Sequence, residues 1–128
     1  MAGEFINDTV LDQAVNYIDT NADILYVCSQ APTTFTEAES TYKLGTKTGP
    51  TLSTAQNASS GTGRATQVSA FSDGVVDSTG TATHWALVDD GSSLLLAAGP
   101  LGSSQGVTAT NAFSLTAFEI IVRDATVT

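Results

Sequence analysis

Positive charge is scarce in this chain. Lys43, Lys47, Arg64 and Arg123 stand against thirteen Asp and Glu residues, for a net charge of −9. Binding to nucleic-acid phosphates needs a basic stripe that releases counterions, and four scattered cations do not form one. The same acidic balance argues against anionic membrane surfaces and suits solubility or a basic protein partner. Cysteine is limited to Cys28, which excludes an intramolecular disulfide. Cys28 closes the apolar run Ile24, Leu25, Tyr26, Val27, with no basic residue nearby to lower its pKa, so a buried free thiol is expected. Histidine is limited to His84, which removes zinc sites built from several histidines. No apolar run approaches the roughly 20 residues needed to cross a bilayer. The opening Met1 to Phe5 has neither the basic region nor the apolar stretch of a signal peptide. Synthesis in a cytoplasm is therefore expected, and the sequons at Asn7 and Asn57 carry no glycosylation message.

What the chain does have is apolar content with abundant Ser, Thr, Gly and Ala, and only 13% charged residues. Disordered chains carry more charge and fewer apolar residues. This composition suits β structure whose outward positions are filled by Thr and Ser. The 128 residues fit one domain, long enough to bury about two-thirds of its unfolded surface without metal or disulfide support.

The first segment reads as a short helix. Asn7 or Asp8 is a suitable cap, and Val10, Leu11, Ala14, Val15 and Ile18 recur at helical spacing, with Asp12 and Asn16 opposite. A helix of about three turns is marginal alone, so its stripe must dock on the chain's own sheet or on a neighbour. A polar turn at 19–23 leads to a strand over 24–28. Thr36 and Glu39 have the form of a capping box, with a helical turn or two reaching Lys43 and Gly45 ending it. Residues 46–64 read as a long loop with a weak edge strand around Leu52. Loops of that length in compact domains usually have a task, so this one is the leading candidate contact element.

From residue 65 onward strands follow closely. One covers 67–71, with a turn at Ser72, Asp73 and Gly74, and another begins at Val75 and Val76 and breaks near Gly80. The clearest runs over 81–89, with Ala82, His84, Ala86 and Val88 on one face and Trp85 and Leu87 on the other. Asp90 and Gly91 supply the positive-φ pair of a tight hairpin, and 93–98 returns. Pro100 and residues 102–106 read as a connection. Residues 107–110, a turn at Asn111 and a last strand over 112–123 complete the ladder, the final apolar run suggesting two-sided burial or a bulge. The fold class expected is mainly β, an antiparallel sandwich or barrel with a short N-terminal helix. The single domain divides into a helix, strand and contact-loop part over 5–64 and a β body over 65–128.

The residues that chemistry would need fall short of their patterns. Any acid–base or triad mechanism must use His84, yet there is no nucleophile elbow and no spacing that selects a carboxylate partner. Asp19, Asn21 and Asp23 open like a calcium loop, but Ile24 replaces its glycine and Gln30 its final glutamate. Gly61, Gly63 and Arg64 suggest a phosphate loop, yet Thr66 and the surrounding β pattern supply neither fingerprint nor helix. Trp85, Phe71, Phe113 and Phe118 would serve a sugar platform only if exposed, and aromatics in β domains are more often core. No cofactor, metal or catalytic residue is expected.

With the start Met1 to Phe5, the helical stripe and the Thr/Ser/Gly/Ala-rich β remainder in view, the chain resembles small virion structural proteins of tailed bacteriophages. The stretch 80–91, with Trp85 between Thr83 and Leu87, is similar to strands of such proteins, as is the run from Phe113 to Ile121. The resemblance carries over no residue role. It implies a non-enzymatic virion component, made in the host cytoplasm, that decorates or cements the capsid as a homo-oligomer. Its partners would be copies of itself and other virion proteins such as the major capsid protein. The alternatives are a tail- or head–tail-associated module binding a receptor or carbohydrate, which needs an exposed Trp85, and a small hydrolase centred on His84. The candidate contact residues are Val10, Leu11, Val15 and Ile18 of the helix and Lys43, Lys47, Leu52 and Arg64 in or beside the loop, the cations either meeting acidic groups on a partner or forming a solvated surface.

Overall fold

A computed structural model describes residues 6–123, and the Met1 to Phe5 start lies outside them. The protein is mainly β with an N-terminal helix, as its composition and strand spacing imply. Its elements form two compact units interleaved in sequence. One unit takes residues 6–20, 51–69 and 117–123, and the other takes 21–50 and 70–116. This division falls elsewhere than the one at residue 64 read from the sequence.

The larger unit is a six-stranded antiparallel sheet. It comprises β1 (Ile24–Cys28), β2 (Lys43–Thr48), β5 (Phe71–Val76), β6 (Gly80–Asp89), β7 (Leu94–Val107) and β8 (Ala112–Leu115), in the order β7-β6-β1-β2-β5-β8. Strands β7 and β8 lie at opposite edges, yet only residues 108–111 join them. Across a flat sheet those edges would be about 24 Å apart, from five spacings of ~4.8 Å. The connection reaches at most about 18 Å. The sheet must therefore curl, and it forms a half-barrel. The Gln105 side chain donates to Ser114 O across the gap between the two edges at 3.3 Å.

Strand β1 explains the core. Leu25 to Cys28 are all buried, so this strand packs on both faces. Leu25 and Val27 sit opposite Leu87 and Trp85 on one face. Tyr26 and Cys28 sit opposite Ala86 and His84 on the other, where Ala38, Phe35 and Tyr42 cover them. Those three belong to or flank a π-helical turn at Glu37–Thr41. Its start is set by Thr34, whose Oγ1 accepts from Glu37 N at 3.1 Å, while Glu37 Oε1 accepts from Thr33 N at 2.8 Å. Thr36 already has helical dihedrals and makes no capping bond, so the expected Thr36–Glu39 box is displaced by two residues. Gly45 ends no helix either. It lies within β2, where a Cβ would stand 2.8 Å from the Phe113 ring and 3.1 Å from Val27 Cγ2.

Three other turn signals resolve differently. Residues 72–74 stay in β5, which accommodates them through a register shift against β8. The β6–β7 connection is a 3₁₀ turn at Asp90–Ser92, and the left-handed residue is Ser93, not Gly91. Pro100 and the glycines after it belong to β7, which continues through register shifts because an edge strand tolerates a missing donor on its open side.

The smaller unit contains α1 (Asp8–Asn21) and a three-stranded antiparallel sheet of β3 (Gln56–Asn57), β4 (Arg64–Val68) and β9 (Phe118–Val122), ordered β3-β4-β9. Asn7 caps α1, its Oδ1 accepting from Thr9 N at 2.8 Å. The closing segment 112–123 is two strands, β8 and β9, which belong to different sheets and break at Thr116 and Ala117.

Candidate protein-contact surface

Helix α1 places the first four candidates. Leu11 and Val15 are buried and Ile18 is half-buried, so this stripe packs within the chain. Val10 remains 59% exposed, as does Tyr17 at 51%, and Ala14 between them is exposed. At 100° per residue, positions 10, 14 and 17 share one narrow stripe, beside the stripe of 11, 15 and 18. The apolar arc of α1 is thus wider than the stripe the chain covers. The width was legible in the sequence, but Tyr17 was missed because its ring was not counted as apolar.

The three basic candidates are engaged internally. Lys43 Nζ lies 3.7 Å from Asp77 and 5.7 Å from the Tyr26 ring centroid. Lys47 Nζ lies 2.9 Å from Asp73 and 5.6 Å from the Phe71 ring centroid. Lys47 holds the Asp73 carboxyl below its ordinary pKa by hydrogen bond and charge. Arg64 directs Nε to Asp12 Oδ1 at 2.7 Å and Nη1 to Asn57 Oδ1 at 2.6 Å, tying α1 to the smaller sheet. The carboxylates these cations meet here are the chain's own.

The expected contact loop at 46–64 is largely structured. Residues 46–48 belong to β2, and Arg64 opens β4. Leu52, half-buried, forms an isolated bridge to Val68. Thr66 Oγ1 donates to Ser53 O at 2.6 Å, and Gln67 N donates to Ser53 Oγ at 2.8 Å. The remaining turn, 58–63, is held at one end by Gly63, whose φ of +84° and closeness to the Val122 carbonyl leave no place for a side chain. Ser59 donates to Glu119, keeping that carboxyl below its ordinary pKa. Gly61 closes a β-turn with Ala58, its N donating to Ala58 O at 3.1 Å, and Gly63 ends the loop between β3 and β4.

The reactive side chains are occupied too. Cys28 is fully buried, its Sγ 4.0 Å from Ala38 O, and burial pushes its pKa up to about 11. Thr83 Oγ1 lies 3.0 Å from Ser29 O and 2.9 Å from His84 Nδ1, so the imidazole is hydrogen-bonded within the chain. Trp85 is 9% exposed, with its ring over Gly99, and offers no sugar platform. Asp19 and Asn21 lie in the last turn of α1, and Asp23 Oδ1 accepts from Asp90 N at 2.8 Å. The calcium-like alternation is thus split between a helix end and a hairpin brace. Among the described residues no group of three or more His, Cys, Asp or Glu is placed to hold a metal.

Two further apolar side chains stand out of the larger unit, Val75 at 53% and Leu94 at 40% exposure. Comparison with protein-family models, curated proteins and solved structures finds no match to this chain.

Proposed function

We propose that this chain is a non-enzymatic structural protein of a bacteriophage virion, a decoration or cement protein that binds the capsid shell as a homo-oligomer. The virion setting rests on the resemblance of its helix-plus-β sequence to such proteins. The contact role rests on the exposed half of the α1 arc, Val10, Ala14 and Tyr17, in a chain whose cysteine, histidine and three of whose cations are engaged internally. An exposed apolar stripe rimmed by polar residues is the usual mark of a protein contact. With Trp85 buried, the sugar-binding alternative lacks the aromatic it required.

Quantitative mass spectrometry of purified particles tests the setting, with hundreds of copies per virion expected for a shell protein. Adding the purified protein to shells lacking it tests the contact. Val10→Glu/Ala14→Glu should keep the fold yet lose binding. Absence of the protein from particles, or full binding by the double variant, overturns the proposal.

A further inference from the structure

Strand β7 is the longest strand of the chain and ends the six-stranded sheet. Of its fourteen residues only Val107 is buried, although Leu94, Leu95, Leu96, Ala97, Ala98 and Leu101 are apolar. Natural edge strands are normally guarded by charge, proline, bulges or a covering element, because their open N–H and C=O groups accept any passing strand. This edge has no charge at all. From Gly91 to Phe118 the sequence contains no Asp, Glu, Lys, Arg or His, in a chain of net charge −9.

The guard it does carry defines the open part. Pro100 pairs with His84 in unbroken register with Gly99 opposite Trp85 and Ala98 opposite Ala86. Proline is accommodated within a sheet when its nitrogen faces the open side. Ala98, two residues earlier, directs its N–H the same way. Residues 94–99 are an uncharged, proline-free edge, bulged once at Leu96 where the register against β6 shifts between Leu87 and Val88, with no partner strand on that side among the described residues.

Backbone edges of this kind are recognised by an extended strand. Charge then decides whose strand it is. A basic partner would be drawn to carboxylates, and this segment has none. Two copies of a −9 chain repel one another except where charge is absent, and here it is absent along a whole edge. Antiparallel pairing of one β7 with another is also self-complementary, so it closes as a two-fold dimer. We infer that residues 94–99 of β7 pair antiparallel with the same residues of a second copy, joining two six-stranded sheets into one. This inference rests on the proposed homo-oligomer and names its interface.

The test uses the full chain in a dilution series, followed by native mass spectrometry and light scattering, with hydrogen exchange at both ends of the series. The wild type should be a dimer at high concentration, with the amides of 94–99 exchanging at least tenfold more slowly in the dimer than in the dilute monomer. Ala98→Pro removes one outward donor and leaves the β6 ladder intact, so it should stay monomeric with an unchanged circular dichroism spectrum. A wild-type oligomer whose 94–99 amides exchange at the monomer rate overturns the interface but leaves the homo-oligomer standing. A chain that stays monomeric throughout overturns both. If Ala98→Pro does not fold, exchange in the wild type decides alone.

Discussion

Replacing glycine by alanine should have opposite effects at two strand positions of the larger unit. At Gly45 the added Cβ would stand 2.8 Å from Phe113 Cε1 and 3.1 Å from Val27 Cγ2. Phe113 is 5% exposed and its ring meets Phe71 edge-on at 5.6 Å, so it has little room to retreat. Overpacking of this kind costs about 1–3 kcal/mol. Against that, alanine restricts the unfolded chain and returns about 0.4–1 kcal/mol. At mid-range values the net loss for Gly45→Ala is about 1.3 kcal/mol, which at ~4 °C per kcal/mol lowers Tm by about 5 °C. At Gly102, in β7, nothing lies within 4 Å of the added Cβ. There only the unfolded-state effect remains, and Tm should rise by about 2–4 °C. Thermal melts by circular dichroism read both changes. A cycle with Phe113→Leu then isolates the contact, because a smaller ring-site residue should recover about 0.5 kcal/mol or more of the Gly45→Ala loss. A Gly45→Ala protein as stable as wild type, or a loss unchanged in the Phe113→Leu background, refutes the packing argument.

Arg64→Lys should lower Tm measurably, because an ammonium cannot bond Asp12 and Asn57 at once as the guanidinium fork does, and Asn57→Ala should cost less in the Arg64→Lys background than in the wild type. Glu37 is held below its ordinary value of 4.5 chiefly by hydrogen bonds from Thr33, Glu119 likewise by Ser59, and Asp73 below 3.8 by Lys47. Lowered carboxylate pKa values stabilise the fold above the unfolded-state values and lose that effect as pH falls through the folded ones. Tm should therefore drop as pH falls below about 4.5, and Glu37→Gln with Glu119→Gln should flatten the profile; a variant with the wild-type slope refutes the assignment. Cys28 should resist a thiol reagent at pH 8 in the native protein and react fully in denaturant, whereas rapid native labelling would contradict its burial and its pKa of about 11.

How much was legible followed the range of the interactions involved. The helix at Val10 to Ile18, the strand at Ile24 to Cys28 and the strand ending at Asp89 are written in local periodicity, and they are present. Pro100 and the glycines beyond it read as a turn because local rules treat proline as a breaker. Whether proline interrupts a strand depends on which side of the sheet is open, and that is a property of the neighbours. Thr116 and Ala117 gave no turn signal, yet the chain changes sheets there. The cations were the hardest to read. Lys47 and Asp73 are 26 residues apart, Arg64 and Asp12 are 52 apart, and only the strand registers bring them together. The exposed half of the α1 arc was visible as sequence, but which half the chain would cover depended on packing.

The interleaving of the two units also bears on the order in which they can exist. Strand β4 is complete at Val68, but its partner β9 begins only at Phe118. At ribosomal rates of about 5–20 residues per second, β4 waits some seconds with one side unpaired. The larger unit waits similarly, since β1 and β2 precede β6 by tens of residues. Neither half can be finished before β8 and β9 have emerged, so a nascent chain halted at residue 116 would hold α1, β3 and β4 with no closing strand. Final folding of the two units is thereby tied to the emergence of β8 and β9.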